Sequence, residues 1–157
     1  MPGLGSNLGR NMNRDEIVSA LTAYFEHKAD IYNIDMVFLY GSWVGGHPKK
    51  ESDIDVALVL DKEMDEERIF DIVTGVSLEL TEITKKETNI LYIDTEFSKP
   101  MLYYNAIIHG IPVFMKDFTR YVDMKLKAIA QMEDFSIFGI QWQAEIVKRR
   151  LEAFKNA

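Results

Sequence analysis

Cysteine is absent from the 157 residues. Disulfides, thiolate metal sites and a cysteine nucleophile are excluded with it, and the absence fits a reducing compartment. Histidine is nearly as scarce, at three residues. His27 and His109 fall in helical segments and His47 in a loop, none at a recognisable metal-ligand spacing. No apolar run approaches the roughly 18 residues of a membrane span, and the N-terminus lacks the apolar region of a secretory signal. A soluble, cytoplasmic protein is expected. Basic residues are in deficit: Lys+Arg is 18 against Asp+Glu 25, a formal net charge of −7. Such a surface repels phosphate backbones, so no direct nucleic-acid binding is expected. A single nucleotide stays compatible, because a divalent cation reverses the local charge. What is present is globular in character, with 47% hydrophobic and 27% charged residues, and the length suits one domain.

The first twelve residues, rich in Gly and Asn and without periodicity, read as a flexible leader. Asn13 with Glu16 three positions on forms a capping-box pattern, and the following spacing predicts a helix over Arg14–Ala29. Met36–Tyr40 is a short apolar run stopped by Gly41, and reads as a buried strand. A breaker-rich loop follows, then a second strand over Asp53–Leu60. Its apolar residues occupy both parities after Asp55, so both faces of that strand should be covered. The pattern predicts a helix over Asp65–Thr84, although Gly75 inside it carries a penalty of about 1 kcal/mol. Thr88–Ile93 reads as a third strand, Pro100–His109 as a helix closed by Gly110, and Ile111–Met115 as a short strand. The tail reads as two amphipathic helices, Asp117–Asp134 and Ile140–Phe154, around a turn near Gly139. Residues 13–115 thus form an α/β (α+β) domain, a sheet packed by helices, and residues 116–157 form C-terminal helices packed on it.

The segment Tyr40–Asp55 carries the chemistry. Strand side chains alternate faces, so Asp53 and Asp55 project from the same face as neighbouring carboxylates. Two close anions raise one another's pKa unless a cation lies between them. Magnesium is the natural partner, since it takes one or two carboxylates together with substrate phosphates. Gly41 lets backbone approach a ligand closely, and Ser42 adds a hydroxyl at the start of a segment whose N–H groups could hold phosphate. One end of the site would cradle phosphates while the other holds the metal that bridges them.

Gly41-Ser42, ten intervening residues and then Asp53-Ile54-Asp55 resemble the signature of the minimal nucleotidyltransferases. These belong to the DNA polymerase beta-like nucleotidyltransferase superfamily. The resemblance extends over Phe38–Phe114, with Thr88–Ile93 matching the strand of the third carboxylate and Leu102–Phe114 the segment that closes the sheet. It implies a nucleotidyltransferase fold, with a mixed sheet flanked by helices. It implies transfer of AMP from ATP, with Asp53 and Asp55 as catalytic metal ligands for Mg2+ and Gly41 and Ser42 as nucleotide-binding residues. It also implies a biological role. Many such proteins are antitoxins that neutralise a HEPN ribonuclease toxin, by binding it in a hetero-oligomer or by adding AMP to it.

Two positions depart from the family pattern. Asn89 stands at the third metal position, where the family has aspartate. A carboxamide can offer a metal its carbonyl oxygen but cannot take a proton from an attacking hydroxyl. Asp94 lies five residues on, at opposite strand parity, and should face away. Gly45 replaces a frequent arginine, and Lys49 and Lys50 read as a solvated loop. Two alternatives to AMP transfer follow. One is a catalytically weak or dead nucleotide-binding module that neutralises the HEPN partner by contact alone. The other is a nucleotidyltransferase acting on a small molecule, for which no acceptor pocket is identifiable. Most apolar residues of the tail are expected to pack on the sheet, with Trp142 and the methionines left for a helix-to-helix contact with the partner.

Overall fold

The computed structural model describes residues 12–45 and 52–155. Asn13 caps the first helix, α1 (Arg14–Tyr32): its side chain accepts from the Glu16 N–H, and Glu16 closes the capping box in return. The helix runs three residues beyond the expected end. It stops where Asn33 takes a left-handed conformation at φ 55°, a role that asparagine fills at helix C-termini. The chain continues as β1 (Ile34–Tyr40), a single helical turn α2 (Ser42–Gly45), β2 (Ile54–Leu60), α3 (Glu66–Thr84), β3 (Thr88–Tyr92), α4 (Pro100–Ile108), β4 (Ile111–Met115) and α5 (Phe118–Lys155). The proposed leader lies almost wholly outside the described residues.

The strand order is β3-β2-β1-β4. β1 runs antiparallel to both β2 and β4, whereas β2 and β3 are parallel, so the sheet is mixed as expected. β1 and β2 are central and buried along almost their whole length. Alternation splits their side chains between two cores. Val37, Leu39, Val56 and Leu58 pack with Leu21 and Phe25 of α1 and Ile72 and Val76 of α3. Met36, Phe38, Ala57 and Val59 pack with Tyr103 and Ile107 of α4 and Tyr121 and Ala128 of α5. The double-sided apolar pattern of β2 is therefore answered by helices on both faces.

Two tyrosines join the helices of the first face. Tyr24 and Tyr32 of α1 donate to the two carboxylate oxygens of Glu79 on α3, at 2.5 and 2.7 Å. Gly75 lies beside this clasp; a Cβ there would stand 3.4 Å from the Tyr32 hydroxyl, an ordinary contact.

The tail differs from the expectation in two ways. It is one continuous helix of 38 residues, with Gly139 inside it. A glycine costs a helix about 1 kcal/mol but does not break one whose flanks are both helical. Most of its apolar residues do not reach the sheet. Tyr121 and Ala128 are buried against α4, but Phe118, Leu126, Ile129, Ile140, Trp142, Val147, Leu151 and Phe154 are all exposed. From Ile140 onward these large apolar residues are exposed, so the later turns of α5 are not covered by the sheet.

Burial raises the Glu79 pKa, but hydrogen bonds from Tyr24 and Tyr32, with help from Lys28, outweigh it and hold the carboxyl below its usual range. The unfolded chain then binds the proton more readily than the folded one. The clasp stabilises above the ordinary glutamate pKa of about 4.3 and is lost as pH falls through the lowered native value. Urea denaturation of Glu79→Gln should give a shallower loss of stability below about pH 4.3 than the parent protein shows.

Candidate functional site

Antiparallel pairing brings the C-terminal end of β1 beside the N-terminal end of β2, where Tyr40 faces Asp55. The chain leaves β1 through Gly41 at φ +80°, a conformation that L side chains rarely adopt. A Cβ at Gly41 would also stand 2.5 Å from Asp55 Oδ2. Glycine is therefore required both by its backbone angle and by the carboxylate that closes over it. Ser42 follows, exposed, at the start of α2.

Parallel pairing places Asn89 of β3 opposite Asp55 on its other side. Tyr40, Asp55 and Asn89 thus form one row across three strands. Within it the Asn89 Nδ2 donates to Asp55 Oδ1 at 3.3 Å. Asp53, just before β2, is exposed, and by alternation it shares the face of Asp55. Burial raises the Asp55 pKa; the Asn89 hydrogen bond opposes that and the Asp53 charge adds to it. Burial, and then the Asp55 charge, push the Tyr40 phenol up to about 12. A half-buried carboxylate, a second one at the mouth and a carboxamide make an all-oxygen donor set suited to a hard divalent cation. Asp55 is an anion under strain from burial and from a like charge, which a bound cation would relieve. Among the described residues no group of three or more His, Cys, Asp or Glu side chains is placed to hold a metal.

Trp43 is a site residue that sequence reasoning missed. Its ring is buried, and its indole Nε1 donates to the Ser52 carbonyl at 3.3 Å. The Lys86 ammonium lies 5.5 Å from the ring centroid. The hydrogen bond ties α2 to the residue before Asp53, so it holds the Gly-Ser turn against the carboxylates. The available signal was a tryptophan placed directly after the turn, where a loop would otherwise be polar.

Other candidates lie apart. His47, Lys49 and Lys50 fall outside the described residues. Asp94 follows the end of β3 and accepts from the Ser98 backbone at 2.9 Å, from the Ser98 hydroxyl and from the Tyr103 hydroxyl at 2.8 Å. Burial raises its pKa, but these bonds outweigh burial and lower it, as befits a carboxylate that organises the turn into α4. His109 caps α4 and packs edge-on against Tyr104.

A family model described as "Polymerase beta, Nucleotidyltransferase" matches residues 20–119. Solved structures share the fold at low sequence identity. One chain of a toxin–antitoxin complex with AMP-PNP superposes with a TM-score of 0.64 at 12% identity, covering 83% of this chain and 98% of that one. A chain of a variant MntA–HepT complex gives 0.61 at 12% identity, over 87% and 99%. A chain of the MntA–HepT complex gives 0.51 at 15% identity, over 87% and 96%. No match was found among curated proteins.

Gly41→Ala forces the new methyl group against Asp55 as well as straining the backbone. Urea denaturation should show a loss of roughly 1–3 kcal/mol. Part of that loss should vanish in the Asp55→Ala background, giving a coupling of about 0.5 kcal/mol or more in a double-mutant cycle. Additive losses would mean that the backbone angle alone is responsible.

Proposed function

We propose, from the premise that the chain belongs to the polymerase beta nucleotidyltransferase family, that it is a minimal nucleotidyltransferase of the antitoxin type. In this reading it binds ATP with Mg2+ and neutralises a HEPN ribonuclease toxin. The observation that carries the nucleotide half is the closure of Asp55 over Gly41, with Asp53 on the same face. The partner half is supported by the likeness to chains of toxin–antitoxin complexes, one of them with AMP-PNP.

Asp53 and Asp55 would hold the magnesium ion, which when bound supplies charge neutralisation and polarisation of the triphosphate. Ser42 offers its hydroxyl to the phosphates at the turn. Trp43 keeps that turn and the carboxylates at a fixed separation through Ser52, so the site needs little reorganisation when nucleotide enters. Asn89 stands in the place where the family has its third carboxylate. There it spends its amide on Asp55 and carries no group that can accept a proton from an acceptor hydroxyl.

That position favours the second reading of the same site. AMP transfer to the toxin is slow or absent, and neutralisation proceeds by contact, with nucleotide serving to stabilise the bound form. Losing a proton acceptor costs about 10²–10⁴ in rate. A nucleotidyltransferase acting on a small molecule has less support, since the solved chains of like fold come from toxin–antitoxin complexes.

Two measurements test this. In calorimetry, ATP should bind only with Mg2+ present, and Asp53→Ala and Asp55→Ala should each abolish that binding; metal-independent binding would sink the nucleotide half. Co-expression with the HEPN protein followed by intact-mass spectrometry should give a stable complex with little or no AMP on the toxin. Asn89→Asp should raise AMP addition by about 10²–10⁴-fold. Efficient addition by the parent protein, unaltered in Asn89→Asp, would restore the enzyme reading over the contact one.

A further inference from the structure

The distal half of α5 carries an ordered apolar line. Ile140, Ala144, Val147, Leu151 and Phe154 follow one another at intervals of four, three, four and three residues. That is a heptad seam, the spacing of helices that pack side by side with a supercoil, rather than the wider stripe of a helix lying on a sheet. Each of these positions is exposed: Ile140 at 67%, Val147 at 55%, Leu151 at 58% and Phe154 at 84%. Ala144 is exposed too. Trp142 is also exposed but projects from the opposite side of the helix, off the seam.

A second feature coincides with the seam. A shallow depression along it is lined by Ala144, Val147, Lys148, Leu151, Glu152 and Lys155. The first four stand at positions i, i+3, i+4 and i+7, the spacing that forms a hole for the knob of a facing helix. The small alanine gives the depression its depth.

The flanks decide which helix fits. The positions beside the seam from Ile140 onward are Gln141, Gln143, Lys148, Arg150 and Lys155, neutral or positive without exception. Of the two acids in this stretch, Glu145 pairs with Arg149 at 3.5 Å on the outer face; Glu152 edges the depression, where Lys148 and Lys155 also line it and leave that edge net positive. A second copy of this chain would set Arg150 against Lys155 in a parallel pair. It would set only neutral or positive flanks together in an antiparallel one. Like charges across a seam select against self-pairing.

We propose that the distal part of α5 is a docking helix for an amphipathic helix of another protein, one with an apolar heptad stripe and acidic flanking positions. The carbon stems of Lys148 and Arg150 cover the edges of the seam, while their charges meet the partner's carboxylates. This deepens the partner half of the proposed function and does not depend on nucleotide binding.

The experiment uses the full chain and two synthetic helical peptides of roughly three heptads. Both have leucine and isoleucine along the seam; one carries glutamate and the other lysine at the flanks. The chain alone should be monomeric by light scattering at micromolar concentration. The acidic peptide should bind about tenfold or more tightly than the basic one, and its affinity should fall with added salt. Leu151→Glu, exposed and so compatible with folding, should reduce binding by about tenfold or more. Lys148→Glu/Arg150→Glu/Lys155→Glu should reverse the peptide preference. Asp55→Ala should leave peptide binding unchanged, which separates a failure here from a failure of the nucleotide reading. A homodimer dissolved by Leu151→Glu, equal binding of the two peptides, or binding of neither would overturn the proposal.

Discussion

Cross-strand register is the constraint on which the site depends. Tyr40, Asp55 and Asn89 occupy one row because β2 is held antiparallel to β1 and parallel to β3. A shift of one residue would turn Asp55 into the α1–α3 core and Val56 out of it, so the apolar cores fix the polar row. Burial of Ile54, Val56 and Leu58 on one face of β2 and of Ala57 and Val59 on the other leaves Asp55 a single place to stand. The stability of the fold and the placement of the carboxylate are set by the same pairing.

Within that row the balance of charge is uneven. Asp55 is desolvated and lies within reach of the Asp53 charge, and Asn89 offers it one neutral donor at 3.3 Å. An aspartate at position 89 would add a third negative charge, tolerable only with a cation bound. The carboxamide instead lets the site hold its shape without one. The row of Tyr40, Asp55 and Asn89 thus keeps its arrangement through a neutral hydrogen bond, and Asn89 carries no group that accepts a proton. A structure that is preorganised without its ion is well suited to a role in binding.

The two halves of α5 obey different physics. Near its start, Tyr121 stacks on Phe38 with ring centroids 6.0 Å apart, and the helix is part of the second core. At about 1.5 Å per residue, 38 residues extend for about 57 Å, more than the sheet can cover. The later turns keep helical order through local pairs such as Glu145–Arg149. Their apolar side chains stay in water, each forgoing about 1.5–3 kcal/mol that burial would supply. A helix with that much unspent apolar surface has the composition of an interface.

Local rules were sufficient for much of this protein. The capping box at Asn13 and the breaker at Gly41 are short-range features, and both appear in the structure where the residue pattern puts them. The sequence also marked Asn89 as the departure from the family pattern. It did not reveal that Asn89 would donate to Asp55, because that contact requires β2 and β3 to lie in register across 34 positions of chain. The task of Trp43 lay in Ser52, across the loop that follows the Gly-Ser turn. The tail was misjudged for the same reason. Periodicity shows that a helix has an apolar side, but only the tertiary structure decides whether any surface is there to receive it.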